Sequence, residues 1–341
     1  MTANWEAKLS GDWQQFPKFR HNLLTTFDDE PDISYLTVSH SMFEVPTEQA
    51  NLFLRMRSSC TGHHDSDTVI RRSGVDAGTG RAILNSLAAA DALRPPYKPF
   101  HQLDTKTYRE GLLAACRIWS EQLEETGIAS EIEAGKLDRN VMVGWLLETY
   151  HYIKAFPAAV EHAARHCAGE LNDLLHAYAQ QEWGHERFVA ETLTGLGLSA
   201  HEITQSIPLV STRSISLLMH ALFERTPMAV LLVAQIVEAH DPSRDELTRL
   251  QNQLATAFRT DSAVFAPLIE HIAIDGAYGH GHLARNNQHL ITVSSEDELH
   301  MLVNDLHDIK HAFDLQKLEI KDYYSHIGNY LPRQFVDYFA I

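Results

Sequence analysis

The run MAVLLVAQIVE, Met228 to Glu238, is apolar at every position before the last except Gln235. At helical spacing it has no polar face, which places it inside a multi-helix domain rather than on a surface. It then ends on a carboxylate. A buried, ionised carboxylate without a partner is costly, so Glu238 calls for a cation or a proton close by.

Three other segments pose the same problem. WLLETYHYIKAF (Trp145–Phe156) sets Glu148 among apolar and aromatic residues, and QQEWGHERF (Gln180–Phe188) offers Glu182 and His185 at i, i+3. EHIAIDGAYGHGH (Glu270–His282) supplies His271 and Asp275 at i, i+4, on one helical stripe. Lysine and arginine are scarce in all four segments, and a metal ion can supply the missing positive charge. Four carboxylates and two imidazoles from four facing helices are the inventory with which a bundle holds two iron or manganese ions. Hard oxygen donors with two nitrogens suit Fe2+ or Mn2+ better than a structural zinc. For any one of these residues taken alone, Glu238 excepted, a solvated helix face is the competing explanation.

Around these segments the chain is nearly all helix from residue 105 onward, with apolar residues at three and four spacing and a capping pair, Ser295 and Glu298, opening the last long helix. The bundle spans residues 97–341 and contains eight or nine helices. It is preceded by an arm (residues 1–32) and a small α+β domain (residues 33–96). In that domain ISYLTVSHSMFEVP alternates like short strands, and three short helices follow before PPYKPFHQLD, a linker. Strand pair, three helices and compact size describe a winged helix-turn-helix.

Composition narrows the partners. The formal net charge of -17 argues against a nucleic-acid duplex, whose phosphates are bound by lysine and arginine. Ten basic and twelve acidic side chains fall in residues 1–100, so most of the excess negative charge lies beyond them. The three cysteines are widely spaced and indicate neither a zinc knuckle nor a disulfide framework. No membrane-length apolar run and no signal peptide are present, which predicts a cytoplasmic protein.

The ordered set resembles the heme-oxygenase-like diiron oxidase and oxygenase superfamily over residues 139–290. It comprises a Glu in a Tyr-rich helix followed by AFP, a Glu-x-x-His beside a glycine, an isolated Glu about fifty residues later, and a His-x-x-x-Asp helix. The resemblance implies a heme-oxygenase-like bundle with Glu148, Glu182, His185, Glu238, His271 and Asp275 as ligands to two Fe2+, or Mn2+, and O2 as co-substrate. Several members carry a further histidine three residues after the aspartate, where this chain has Tyr278, so either the six residues are the whole ligand set or another histidine joins them. His282, one turn further, is a candidate for that role, and a helix break at Gly276, Gly279 or Gly281 would bring His280 in instead. Otherwise Tyr278 and His280 belong around the ligands. His151 forms a second Glu-x-x-His with Glu148 and is a further candidate ligand. His162 and His166, without matched carboxylates, are expected on a solvated face.

The small domain resembles the peptide-recognition elements of enzymes that modify ribosomally made peptides, which take a leader peptide as an added strand. DNA binding through Arg71, Arg72 and Arg81, or a packing or dimer role, are the alternatives, and seven acidic against six basic residues between Asp32 and Arg94 weaken the DNA reading. The function expected is an O2-activating iron oxidase or oxygenase in a biosynthetic pathway, acting on an amino acid, an amine or a peptide-borne side chain. An acidic substrate would be disfavoured by the surface charge. An external electron donor and a homodimer are compatible with this function. A winged-helix regulator with a metal- or ligand-sensing bundle, or a metal-independent member of the same scaffold, is the rival.

Overall fold

The computed structural model describes residues 16–19, 22–26, 30–38, 41–94, 104–125, 127–133, 137–239 and 242–341. The chain divides into two compact units, Met1–Leu103 and Asp104–Ile341.

In the first unit, strands β1 (Asn22–Thr26), β2 (Ile33–Val38) and β3 (Ser41–Pro46) form an antiparallel sheet in the order β1-β2-β3. Ser34, Leu36 and Val38 of β2 are buried in strict alternation. This is the period-2 pattern of a strand with one covered face. Leu36 and Val38 pack against Phe53, Leu87 and Leu93. The sheet is followed by helices α1 (Thr47–Arg57), α2 (Ser66–Ser73) and α3 (Ala77–Ala89). Asp65 and Asp76 cap the last two by accepting from the Thr68 and Thr79 amides at 2.7 and 3.0 Å. β1 lies within the stretch expected to be an irregular arm. Its pairing with β2, from Asn22 opposite Val38 to Thr26 opposite Ser34, is a relationship that its own five residues do not signal. Most of the expected linker, residues 95–103, and the first fifteen residues lie outside the described residues.

The second unit is helical: α4 (Thr105–Glu125), α5 (Ile128–Glu133), α6 (Arg139–Ala164), α7 (Glu170–Glu182), α8 (Glu186–Gly195), α9 (Ala200–Gln205), α10 (Val210–Arg225), α11 (Ala229–Val237), α12 (Arg244–Phe258), α13 (Ala266–Tyr278), α14 (Leu283–Asn286) and α15 (Glu296–Ser325). The expected count was lower because the short helices α5 and α9 carry little periodic signal and because two continuous-looking segments are broken. α7 and α8 part at Trp183–Gly184, and α13 stops before a 3-10 turn at His280–His282. Conversely, α6 runs through Pro157, a residue that usually ends or kinks a helix. Phe156, Pro157, Ala159 and Val160 are all buried there, and that burial offsets the backbone bond that proline forfeits.

The core joins α6 and its neighbours through Leu146, Leu147, Leu193, Phe265, Leu254 and Tyr324. α11 is its most enclosed element, with Ala229 through Ala234 fully buried. Arg139 satisfies two helix ends at once, donating to the carbonyls of Leu196 and Phe258 at 3.1 Å each. Among the described residues no helix is long and apolar enough to cross a membrane.

Candidate metal centre

Most residues of the site stand at or near the end of a helix, and His271 lies in the middle of one. Glu182 is the last residue of α7, and after Trp183 and Gly184 (φ 89°) the chain re-enters helix at His185, the cap of α8. Glu238 caps the C-terminus of the apolar α11, and His271 and Asp275 share one face of α13. The sixth member is His280. Gly279 closes α13 in the left-handed conformation (φ 73°), its N–H bonded to the Asp275 carbonyl at 3.1 Å. Glycine is favoured there because a side chain disfavours that backbone region. At Gly281 an added Cβ would lie 2.7 Å from the Glu238 carbonyl oxygen. Two glycines therefore turn the chain back and press it onto the end of α11, and His280 between them is carried into the interior, 1% exposed.

The polar atoms converge. His280 Nδ1 is 3.0 Å from Glu182 Oε1, 3.3 Å from Glu238 Oε2 and 3.8 Å from Asp275 Oδ1. His185 Nδ1 is 3.3 Å from Asp275 Oδ1 and 3.5 Å from Glu182 Oε2, and His271 Nε2 is 3.4 Å from Asp275 Oδ2. Two overlapping trios, His185, His271, Asp275 and Glu182, Asp275, His280, each have ligand atoms within 4.8 Å of one another. Asp275 belongs to both.

These contacts are close without being aligned as hydrogen bonds. Glu182 Oε1, Glu238 Oε2, Asp275 Oδ1, His185 Nδ1, His271 Nε2 and His280 Nδ1 are all buried and all lack a hydrogen-bond partner. One orphan from each of six residues, three oxygens and three nitrogens, is the donor set of a metal centre, and orphaned polar groups in an ordinary core are rare. The residues present fit a metal ion.

The remaining atoms are held from outside. Tyr178 donates to Glu238 Oε1 at 2.8 Å, and His280 Nε2 lies 3.0 Å from Gln181 Oε1. Such outer partners fix the orientation of ligands. Burial raises the Glu238 carboxyl to about 7. Burial also opposes ionisation of Glu182, but His185 and His280 outweigh it and hold that carboxyl below the usual range. His271 is lowered by burial. Tyr178 and Tyr152 are pushed up by burial first and then by the charges of Glu238 and Glu182.

Glu182, His185, Glu238, His271 and Asp275 are thus brought together, and Glu148 is not. Its Oε2 accepts from the Leu209 amide at 3.0 Å and from Thr212 Oγ1 at 2.5 Å, and its Oε1 accepts from Tyr324 at 2.9 Å. Glu148 is a buried anion at the N-terminus of α10, where the helix dipole favours it, and it ties α6 to α10 and α15. Burial raises its carboxyl despite those donors. His151 is also elsewhere, bonded to Ser206 at 2.9 Å and lowered to about 4 by burial and Lys154. His282 is exposed on the rim of a cavity of about 210 Å³ that opens beside Glu238, His271, Asp275 and His280. Tyr278 is 53% exposed and stacks on His280 at 5.6 Å. His280, expected around the ligands, lies among them.

The TENA/THI-4/PQQC family model matches residues 128–255. That match takes in Glu182, His185 and Glu238 and leaves out His271, Asp275 and His280. No curated protein matches the chain. Among solved structures the chain is similar to a domain of unknown function with a heme oxygenase-like fold from Shewanella denitrificans OS217, at 14% identity over 66% of this chain and 94% of that one, with a TM-score of 0.52. It is also similar to a TenA homolog from Pseudomonas syringae pv. tomato str. DC3000 (9% identity, 64% of this chain, 96% of that one, TM-score 0.46). A TenA homologue from P. horikoshii OT3 gives 12% identity, 62% and 98% coverage and a TM-score of 0.45. The first of these likenesses establishes a heme-oxygenase-like fold for the helical unit; at such identity it carries no activity with it.

Proposed function

We propose that the chain is an oxidoreductase in which Glu182, His185, Glu238, His271, Asp275 and His280 hold two Fe2+ ions, with Mn2+ as the alternative metal, and which uses O2 as co-substrate. The observation that carries this reading is the set of six buried, unpartnered ligand atoms facing one another. A pair of ferrous ions bound there would supply two of the four electrons that full reduction of dioxygen takes, the other two coming from the substrate or an external donor.

The protein's own part is positional. Tyr178 holds one oxygen of Glu238 and leaves the other free, and Gln181 orients His280 in the same way. The apolar α11 keeps one side of the site dry, so charges there are weakly screened. The rival reading of the same scaffold without metal would leave these six buried atoms to imidazole–carboxylate contacts that are close but not aligned as hydrogen bonds.

For the first unit we favour peptide recognition. Among the described residues β3 is an edge strand, and a cavity of about 660 Å³ beside it is lined by Phe43, Val45, Leu52, Phe53 and Ile83. An extended segment added to that edge would gain main-chain hydrogen bonds from β3 and side-chain pockets from the cavity.

Anaerobic loading with Fe2+ followed by O2 in an oxygen electrode tests the proposal. Oxygen uptake that requires iron and is lost in Glu238→Ala is the expected result; iron-loaded protein that leaves dissolved O2 unchanged would contradict it.

A further inference from the structure

A second, larger cavity of about 720 Å³ lies in the helical unit, and it shares two lining residues, Val237 and Ile272, with the small cavity at the metal centre. These residues directly adjoin Glu238 and His271 in the chain. A third link runs through Phe313, which lines the large cavity and packs edge-on against Tyr152 at 5.3 Å. The Tyr152 hydroxyl is buried without a hydrogen-bond partner, and its ionisation is opposed by burial first and then by the charges of Glu238 and Glu182. One end of the large cavity therefore abuts the site.

Its body is apolar, with Trp145, Ile128, Ile236, Leu250 and Ile320 among the lining residues, and its volume falls within the ordinary range for a small-molecule pocket. Most of its charged groups are already engaged. Glu246 accepts from the Ser243 amide and hydroxyl at 2.7 Å each in the cap of α12. Asp314 accepts from Lys310 at 2.7 Å, Lys317 pairs with Glu131 at 3.4 Å, and Glu124 has an interaction of its own. Arg249 differs: it is exposed at the cavity and makes no hydrogen bond or ion pair among the described residues.

We infer that this cavity is the binding chamber for the organic substrate, and that the substrate is a carboxylate with an apolar body. Its carboxylate pairs with the Arg249 guanidinium, and its apolar end is directed at the wall formed by Val237 and Ile272. This rests on the reading of the adjoining site as a redox centre. The formal net charge of -17, which by itself disfavours an acidic substrate, is outweighed at the cavity, because charges further away than about 8 Å are screened at physiological salt, whereas a guanidinium–carboxylate contact is direct.

The test uses metal-free full-length protein, with Trp145 fluorescence as the signal and Trp145→Phe as the blank, titrated with octanoate, 1-octanol and octylamine. Octanoate is expected to bind about 10- to 100-fold more tightly than octylamine. Arg249→Gln should remove that preference while leaving octanol unchanged, and Arg249→Lys should retain part of it. Octylamine binding as tightly as octanoate, or octanoate unaffected by Arg249→Gln, would overturn the inference, and the wild-type comparison stands even if a variant misfolds. Because no metal is present, a failed redox reading appears separately, as octanoate binding to a protein that takes up no iron.

Discussion

Gln181 Oε1 stands 3.0 Å from His280 Nε2, and this bond decides which nitrogen of the buried imidazole faces the site. With the Nε2 proton donated to the amide oxygen, Nδ1 carries the lone pair of the neutral ring, and Nδ1 is the atom near Glu182 and Glu238. Gln181→Leu removes the acceptor while leaving every ligand in place. Metal affinity, measured by competition with a chelator, should fall about 10- to 100-fold, the usual effect of losing an outer-shell partner.

Glu148 and Glu182 are both buried carboxylates on bundle helices, yet they should respond oppositely to neutralisation. Glu148→Ala leaves the Leu209 amide, Thr212 and Tyr324 without their acceptor. Its thermal unfolding should shift by about 2 to 4 kcal/mol of lost stability, with the metal content per folded chain unchanged. Glu182→Gln should lose metal, with metal-free stability followed alongside because Glu182 also contacts His185 and His280 there. Metal analysis and calorimetry on both variants check the pair; metal loss in Glu148→Ala at full stability would refute the assignment.

Most of the bundle was legible because burial leaves a periodic trace. Glu238 at the end of an unbroken apolar run, and His271 with Asp275 one turn apart, announce themselves as groups that need a partner. Glu148 announces itself equally well, but its donors come from Leu209, Thr212 and Tyr324, distant in the chain, and no local spacing reveals that they satisfy it. His280 was obscured for the opposite reason. Helical spacing carried past Tyr278 points to His282, whereas Gly279 ends the helix and Gly281 seats the turn against Glu238. The signal was the glycine spacing itself. β1 left no trace because its pairing is settled across the sheet rather than within its own five residues.

Gly281→Ala tests that turn. The added methyl would meet the Glu238 carbonyl oxygen at 2.7 Å, so either the turn or the end of α11 must move. Metal affinity should drop in this variant, because His280 and Glu238 shift together. An unchanged affinity would show that the turn does not position His280.

Proton release follows from the electrostatics of the metal-free site. Asp275 and Glu182 raise His185 to about 9, and Glu182 and Glu238 raise His280 to about 10 against the opposing effect of burial. Both folded values lie above the unfolded value of about 6.5. The stabilisation is therefore fully present below that pH and is lost as pH rises through the folded values. The thermal midpoint of metal-free protein should accordingly fall between pH 7 and pH 10, within the window those two values define. Metal ligation requires both nitrogens deprotonated, so metal uptake near neutral pH should release protons and affinity should rise with pH. Titration in a weakly buffered indicator solution measures the release; uptake without it would contradict these protonation states.

The most direct measurement is the stoichiometry of anaerobic Fe2+ binding to wild type and to Asp275→Asn. Asp275 is common to both trios of ligand atoms, so wild type should bind two ions per chain and the variant should lose tight binding of both. A wild-type protein that takes up no Fe2+ or Mn2+, or a variant that still binds two ions at wild-type affinity, would mean that these six buried groups are not a dinuclear metal centre.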